Sequence, residues 1–196
     1  MRDTRTGGFT LVEVIVSVTL VALIAVNISM LIGSGKKNFE NTTAQMELEV
    51  QAARAMDRIA LALMGSSRDT LYLTPEAPFN THVMNYEMNL GMDGDDPVWS
   101  DPERIELVIE DGKVQWLENP GDLGERHVVW AKWVTEYLEG EVPNNLDDNG
   151  NGLVDEKGLS FDLDRNSVII RLTAEREGPN GEAITKTMTR RVTCRN

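Results

Sequence analysis

The sequence predicts an α+β protein in which one long N-terminal helix, membrane-spanning in its first half and amphipathic in its second, packs on an antiparallel β-sheet domain. Three observations predict it. Val14 to Gly35 is a run of 22 residues without a formal charge, most of them Val, Ile, Leu, Ala or Met. Helical spacing then continues to Met64 with no proline. After Arg68 the apolar period falls from 3.6 to 2, the spacing of a strand with one buried face.

The 196 residues carry 32 Asp and Glu against 19 Lys and Arg, a net charge of -13. The charge is unevenly placed. Arg2, Arg5, Asp3 and Glu13 cancel within residues 1–35, so everything from Lys36 onward holds the whole excess. This acidity argues against a nucleic-acid partner, which requires a basic face. A single cysteine, Cys194, excludes an internal disulfide and a Cys-rich zinc or iron–sulfur site.

As a helix the uncharged run spans about 33 Å, enough to cross the hydrocarbon core of a bilayer. Apolarity on all faces disfavours a buried core helix. A cleavable secretory signal is the other competitor, with Gly33-Ser34-Gly35 as its cleavage site. Glu13 opposes it: a carboxylate at membrane depth costs about 2.5–3.5 kcal/mol, from which a discarded signal gains nothing.

From Lys36 to Met64, Phe39, Met46, Val50, Ala53, Ile59, Ala60 and Leu63 recur at helical intervals. Glu47, Glu49, Gln51, Arg54, Asp57 and Arg58 take the other positions, and Gly65-Ser66-Ser67 supplies the stop. One helix from about Phe9 to about Met64 is expected, with Gly33-Ser34-Gly35 as the place where it would break if it breaks.

Strands are expected at Thr70–Thr74, His82–Glu87, Arg104–Glu110, Lys113–Leu117 and His127–Tyr137, then around Val168–Ala174 and Thr185–Thr193. Asp111-Gly112 reads as a two-residue hairpin turn, because Gly accepts the positive φ of a type I′ turn. Glu177–Glu182, with Gly-Pro-Asn-Gly, joins the last two strands, and Met92–Pro97 reads as an acidic surface loop. The sum is one antiparallel sheet with a wet face and a face for the helix.

The segment 145–158 is dense in oxygen donors, the chemistry of calcium, which takes six to eight of them from a flexible loop. With Asp147 as first ligand, Asn149 is third, Asn151 fifth, Gly152 sits at the sharp turn, Leu153 offers its backbone carbonyl and Asp155 is ninth. The twelfth position is Gly158, not the bidentate Glu of an EF-hand, so Glu156 is the candidate to close the shell. A second register, from Asn145, puts Glu156 twelfth and loses the apolar anchor of Val154. The competing reading is an Asn-Gly-rich turn carrying solubilising acids.

Catalytic signals are weak. His82 and His127 lack zinc-ligand spacing, and there is no phosphate-binding glycine pattern or nucleophile elbow. Trp99, Trp116, Trp130 and Trp133 read as core, unless several are exposed together. A non-enzymatic protein is expected.

Gly7-Gly8-Phe9-Thr10-Leu11-Val12-Glu13-Val14, with a short basic leader before it and a long apolar helix after it, resembles the N-terminus of type IV pilins and type II secretion pseudopilins. The resemblance implies that a prepilin peptidase cuts between Gly8 and Phe9 and N-methylates Phe9, so that residues 1–8 are lost and the helix stays. It implies that Glu13 pairs with the Phe9 amine of a neighbouring subunit during assembly. The Gln51–Ala60 helix and the strand ending Arg190-Arg191-Val192-Thr193 are similar to J-type minor pseudopilins and to W-type minor pilins.

The expected organisation is therefore a leader, 1–8; a transmembrane and assembly helix, 9–35; its amphipathic continuation, 36–66; and a periplasmic β-rich domain, 67–196. The expected function is that of a minor pilin or pseudopilin, priming or capping a fibre. Other such subunits, the prepilin peptidase and the inner membrane are its partners, and structural Ca2+ is its cofactor. The alternative is a membrane-anchored, calcium-dependent module that binds a secreted protein or surface ligand.

Overall fold

A computed structural model describes residue 8, residues 10–71 and residues 80–194. The chain divides into two compact units, Met1–Thr43 and Ala44–Asn196.

A single α-helix, α1 (Leu11–Met64), begins in the first unit and runs through Gly33-Ser34-Gly35 without interruption. Every residue from 11 to 39 is exposed. This segment is long and apolar enough to cross a membrane. Its polar side chains turn back on their own helix: Ser17 Oγ donates to the Glu13 carbonyl at 2.8 Å, Asn27 Nδ2 to Leu23 at 2.8 Å and Ser29 Oγ to Ala25 at 2.9 Å. Hydrogen-bond capacity is thus met within the helix, as a lipid environment requires.

In the second unit α1 buries Ala44, Leu48, Ala52, Ala55, Met56, Ile59 and Leu63, a stripe at spacings of three and four. This corrects the expected stripe at its start: Phe39, Met46 and Val50 are exposed, while Ile59, Ala60 and Leu63 are buried. Small alanines let the helix approach its neighbours closely, between the larger buried side chains of Leu48, Met56, Ile59 and Leu63. Glu47, Glu49 and Asp57 flank the stripe and pair with Arg176 at 2.5 Å, Lys186 at 3.1 Å and Arg190 at 2.5 Å. Such exposed pairs contribute little energy each but favour one placement of the helix. At the C-terminal end Ser66 Oγ donates to Ala62 O at 3.0 Å, closing the last turn.

The strands form two four-stranded antiparallel sheets and a ribbon, not the one sheet expected. The first sheet has the order β1 (Asn80–Thr81), β8 (Leu159–Asp164), β9 (Ser167–Glu177), β10 (Ala183–Thr193). The second runs β2 (Val83–Tyr86), β5 (Glu103–Val108), β6 (Lys113–Glu118), β7 (Arg126–Ala131). The ribbon pairs β3 (Asn89–Asp93) with β4 (Asp96–Trp99), where an acidic loop was expected at Met92–Pro97. Ile59 and Leu63 of α1 share one core with Met84, Tyr86, Ile105, Phe161, Ile170 and Leu172, all fully buried.

Three further differences have local causes. The β5–β6 hairpin closes through a 3-10 turn at Ile109–Asp111 with Gly112 left-handed at φ 58°, so the connection has four residues and not two. Gly112 is required twice over, because a Cβ there would lie 2.9 Å from the Val134 carbonyl oxygen. The strand expected over His127–Tyr137 ends at Ala131, and Trp133 takes φ 61°, turning the chain toward β9, where Val134 bridges Ala174. Of the strand expected at Thr70–Thr74, Thr70 ends a 3-10 turn and positions 72–74 lie outside the described residues.

Candidate functional site

Two places carry functional chemistry. The first is the N-terminus of α1. Thr10 is its cap: Thr10 N and Oγ1 donate to Glu13 Oε2 at 2.9 and 3.0 Å, and Glu13 N donates back to Thr10 Oγ1 at 3.3 Å. This is a reciprocal capping box, and its Thr-x-x-Glu spacing stands in the sequence. Glu13 therefore holds its own helix start, and among the described residues no hydrogen bond reaches its Oε1. Gly8 precedes the helix as exposed, irregular chain with open space around its Cα. Phe9 lies outside the described residues.

The second place is the loop between β7 and β8. Its stem is a short antiparallel pairing: Tyr137 bridges Lys157, Leu138 N donates to Glu156 O at 2.9 Å, and Gly158 N to Glu136 O at 2.9 Å. Gly158, the position where an EF-hand has its Glu, packs so closely that a Cβ would lie 1.9 Å from the Thr135 carbonyl oxygen. No side chain fits there.

The loop folds back over its stem. Asp147 Oδ1 accepts the N–H groups of Gly150 at 2.7 Å and Asn151 at 3.1 Å, and Oδ2 that of Gly152 at 2.8 Å. Asn151 Oδ1 accepts the Leu153 N–H at 2.8 Å. Asp155, at φ 48°, accepts the N–H groups of Asn144 and Asn145, both at 3.0 Å. Asp147 and Asp155 thus shape the loop through its backbone, and Gly150 and Gly152 supply the positive φ its turns need.

What converges beneath the tip is Glu156 with Asn149 and Asn151. Glu156 is fully buried, and its Oε1 accepts Arg171 Nη1 at 3.1 Å and Ser160 Oγ at 3.2 Å. Its Oε2 faces the side-chain amides of Asn149, at 3.4 Å, and Asn151. Glu141, from the other stem, joins them: its Oε1 accepts the Asn149 N–H at 3.2 Å. Burial pushes the Glu141 pKa up; the Asn149 N–H opposes this, while the carboxylates of Glu156, Asp148 and Asp147 add to it. Glu141 and Arg171 were missed from sequence because both lie outside the donor-spaced segment. Among the described residues, no three Asp, Glu, His or Cys side chains form a ready metal cluster. The oxygen donors here are two carboxylates and two amides.

The tryptophans are partly outside the core. Trp116 and Trp130 stack with ring centroids 6.1 Å apart and planes 4° apart. Trp130 and Trp133 line a groove of about 400 Å³ with Glu47, Gln51, Arg54 and Arg58. The guanidinium of Arg176 lies 4.7 Å from the Trp133 ring centroid. His82 is half-buried, His127 is exposed, and Cys194 is buried without a disulfide.

No protein-family model, no curated protein and no solved structure matches this chain.

Proposed function

We propose that this chain is a minor pilin or pseudopilin: a non-enzymatic subunit cut between Gly8 and Phe9 by a prepilin peptidase, N-methylated at Phe9, and assembled from the inner membrane into a periplasmic fibre or pilus. One observation carries the proposal. A helix whose faces are all apolar and exposed over residues 14–35 begins with a single carboxylate, Glu13. Such a surface calls for lipid or for like helices, and an ionisable group within it is by default a functional group.

The mechanism is a register lock. The cap occupies one oxygen of Glu13, and the second is available to the positive α-amine of a neighbour's processed Phe9. In a bundle of low dielectric this pairing is directional and sets the axial offset between helices. The amphipathic second half and the β domain would stand on the far side of the membrane from the basic leader, since Arg2 and Arg5 favour the cytoplasmic side. Site-specific crosslinking between residues 9 and 13 in membranes tests it: crosslinks between subunits are expected, and none would form if the helix only anchors a monomer.

The Trp130–Trp133 groove favours one second reading, a membrane-anchored, calcium-dependent module that binds a secreted protein or surface ligand. On that reading, Trp133→Ala abolishes ligand binding and Glu13→Ala leaves it intact. Assembly predicts the reverse sensitivity.

A further inference from the structure

We infer that the loop over residues 139–156 binds one hard divalent cation, calcium by its chemistry, between Glu141 and Glu156, with Glu141 as a ligand that the donor spacing of the loop does not reveal. The site is independent of the assembly reading.

The observation that points to a ligand is Glu141 itself. The residue is 8 % exposed, and its Oε2 is buried with no hydrogen-bond partner. Among the described residues no Lys or Arg forms an ion pair with it; the guanidinium at Glu156, that of Arg171, is engaged by Glu156 and Asp162. A buried carboxylate oxygen without a partner is costly, and a cation is the partner that its acidic surroundings favour.

Glu156 supplies the opposite wall. Arg171 and Ser160 fix its Oε1, which leaves Oε2 presented to the space under the loop tip. Outer partners that orient a ligand in this way are characteristic of metal sites. The side-chain amides of Asn149 and Asn151 lie against the same oxygen, while their Oδ1 atoms accept the N–H groups of Asn151 at 3.0 Å and Leu153 at 2.8 Å, so in this loop the two asparagines hold the tip over the carboxylates. Asp147 and Asp155 hold the loop backbone in place around the donors.

The donor chemistry selects the ion. Only oxygens are available, with no His or Cys, which disfavours zinc and copper. Irregular backbone and amide donors suit calcium, which accepts six to eight ligands in flexible geometry. Magnesium demands a near-ideal octahedron.

The test uses the full chain in detergent micelles, with equilibrium dialysis against CaCl2 or MgCl2 and thermal unfolding with CaCl2 or a chelator. One calcium per chain is expected, with a Kd on the order of 10⁻⁴–10⁻³ M, and a higher Tm in CaCl2 than in equimolar MgCl2. Glu141→Gln should weaken calcium binding about tenfold or more and remove the Tm gain. In chelator its Tm should equal or exceed that of the parent, which shows that the variant is folded. No uptake by the parent at about ten times that concentration, or an unchanged affinity in Glu141→Gln, would overturn the assignment.

Discussion

Thr10 and Glu13 bind each other reciprocally, hydroxyl and amide to carboxylate and amide to hydroxyl, within 3.3 Å. The carboxylate proposed for subunit assembly is thus also the cap of its own helix. The two roles separate by mutation. Thr10→Ala removes the cap and keeps the charge, and it should leave fibre assembly near the parent level. Glu13→Ala removes both and should abolish assembly. Equal defects in the two variants, measured as sheared-fibre yield, would reduce Glu13 to a cap.

Gly158 and Thr135 give a packing prediction. With a Cβ placed 1.9 Å from a backbone oxygen, Gly158→Ala must displace the loop stem. A loss of about 3 kcal/mol or more is expected in urea unfolding, at the upper end of overpacking costs. Gly124→Ala, with nothing within 4 Å of its Cβ, is the control and should stay within about 0.5 kcal/mol of the parent.

Arg171 pairs with Glu156, whose side chain is fully buried. Arg171→Met leaves the buried Glu156 carboxyl group without its guanidinium partner, and should cost about 3–5 kcal/mol. Adding Glu156→Gln to it should recover part of that loss. A double variant no more stable than the single one would show that Arg171 acts by packing alone.

Tyr86 carries a pH dependence. Its hydroxyl is buried and donates to Glu103 Oε2 at 2.6 Å, an oxygen that also accepts Trp116 Nε1 at 2.6 Å. Burial first, then the bond and charge of Glu103, raise its pKa well above the ordinary 10.0. The native state therefore keeps a proton that the unfolded chain releases. Stability from this group is complete below pH 10.0 and is lost as pH rises further. Tyr86→Phe should cost about 1.5–3 kcal/mol at neutral pH and flatten the decline in Tm above pH 10.0.

The helix was legible because 22 uncharged residues and an uninterrupted 3.6-residue period leave few alternatives. The hairpin of β9 and β10 was legible too, from clean alternation on both sides of Gly-Pro-Asn-Gly. β8 was not. Leu159, Phe161 and Leu163 do alternate, but Asp162 between them and Asp164 after them are residues that strands usually avoid. They are tolerated because Arg171 on the neighbouring β9 and Arg191 on β10, one strand further, pair with them, and that pairing is set by topology. The same limit hid half of the loop site. Arg171 meets Glu156 from β9 and Glu141 accepts the Asn149 N–H from the far side of the loop, placements that local spacing does not encode.

The proposal that this is a processed fibre subunit is tested most directly by mass spectrometry of the N-terminus of the protein recovered from its native membranes. The account predicts a chain that begins at Phe9 and carries an added methyl group on its α-amine. A chain that retains Met1, or one that begins near Gly35, would contradict it.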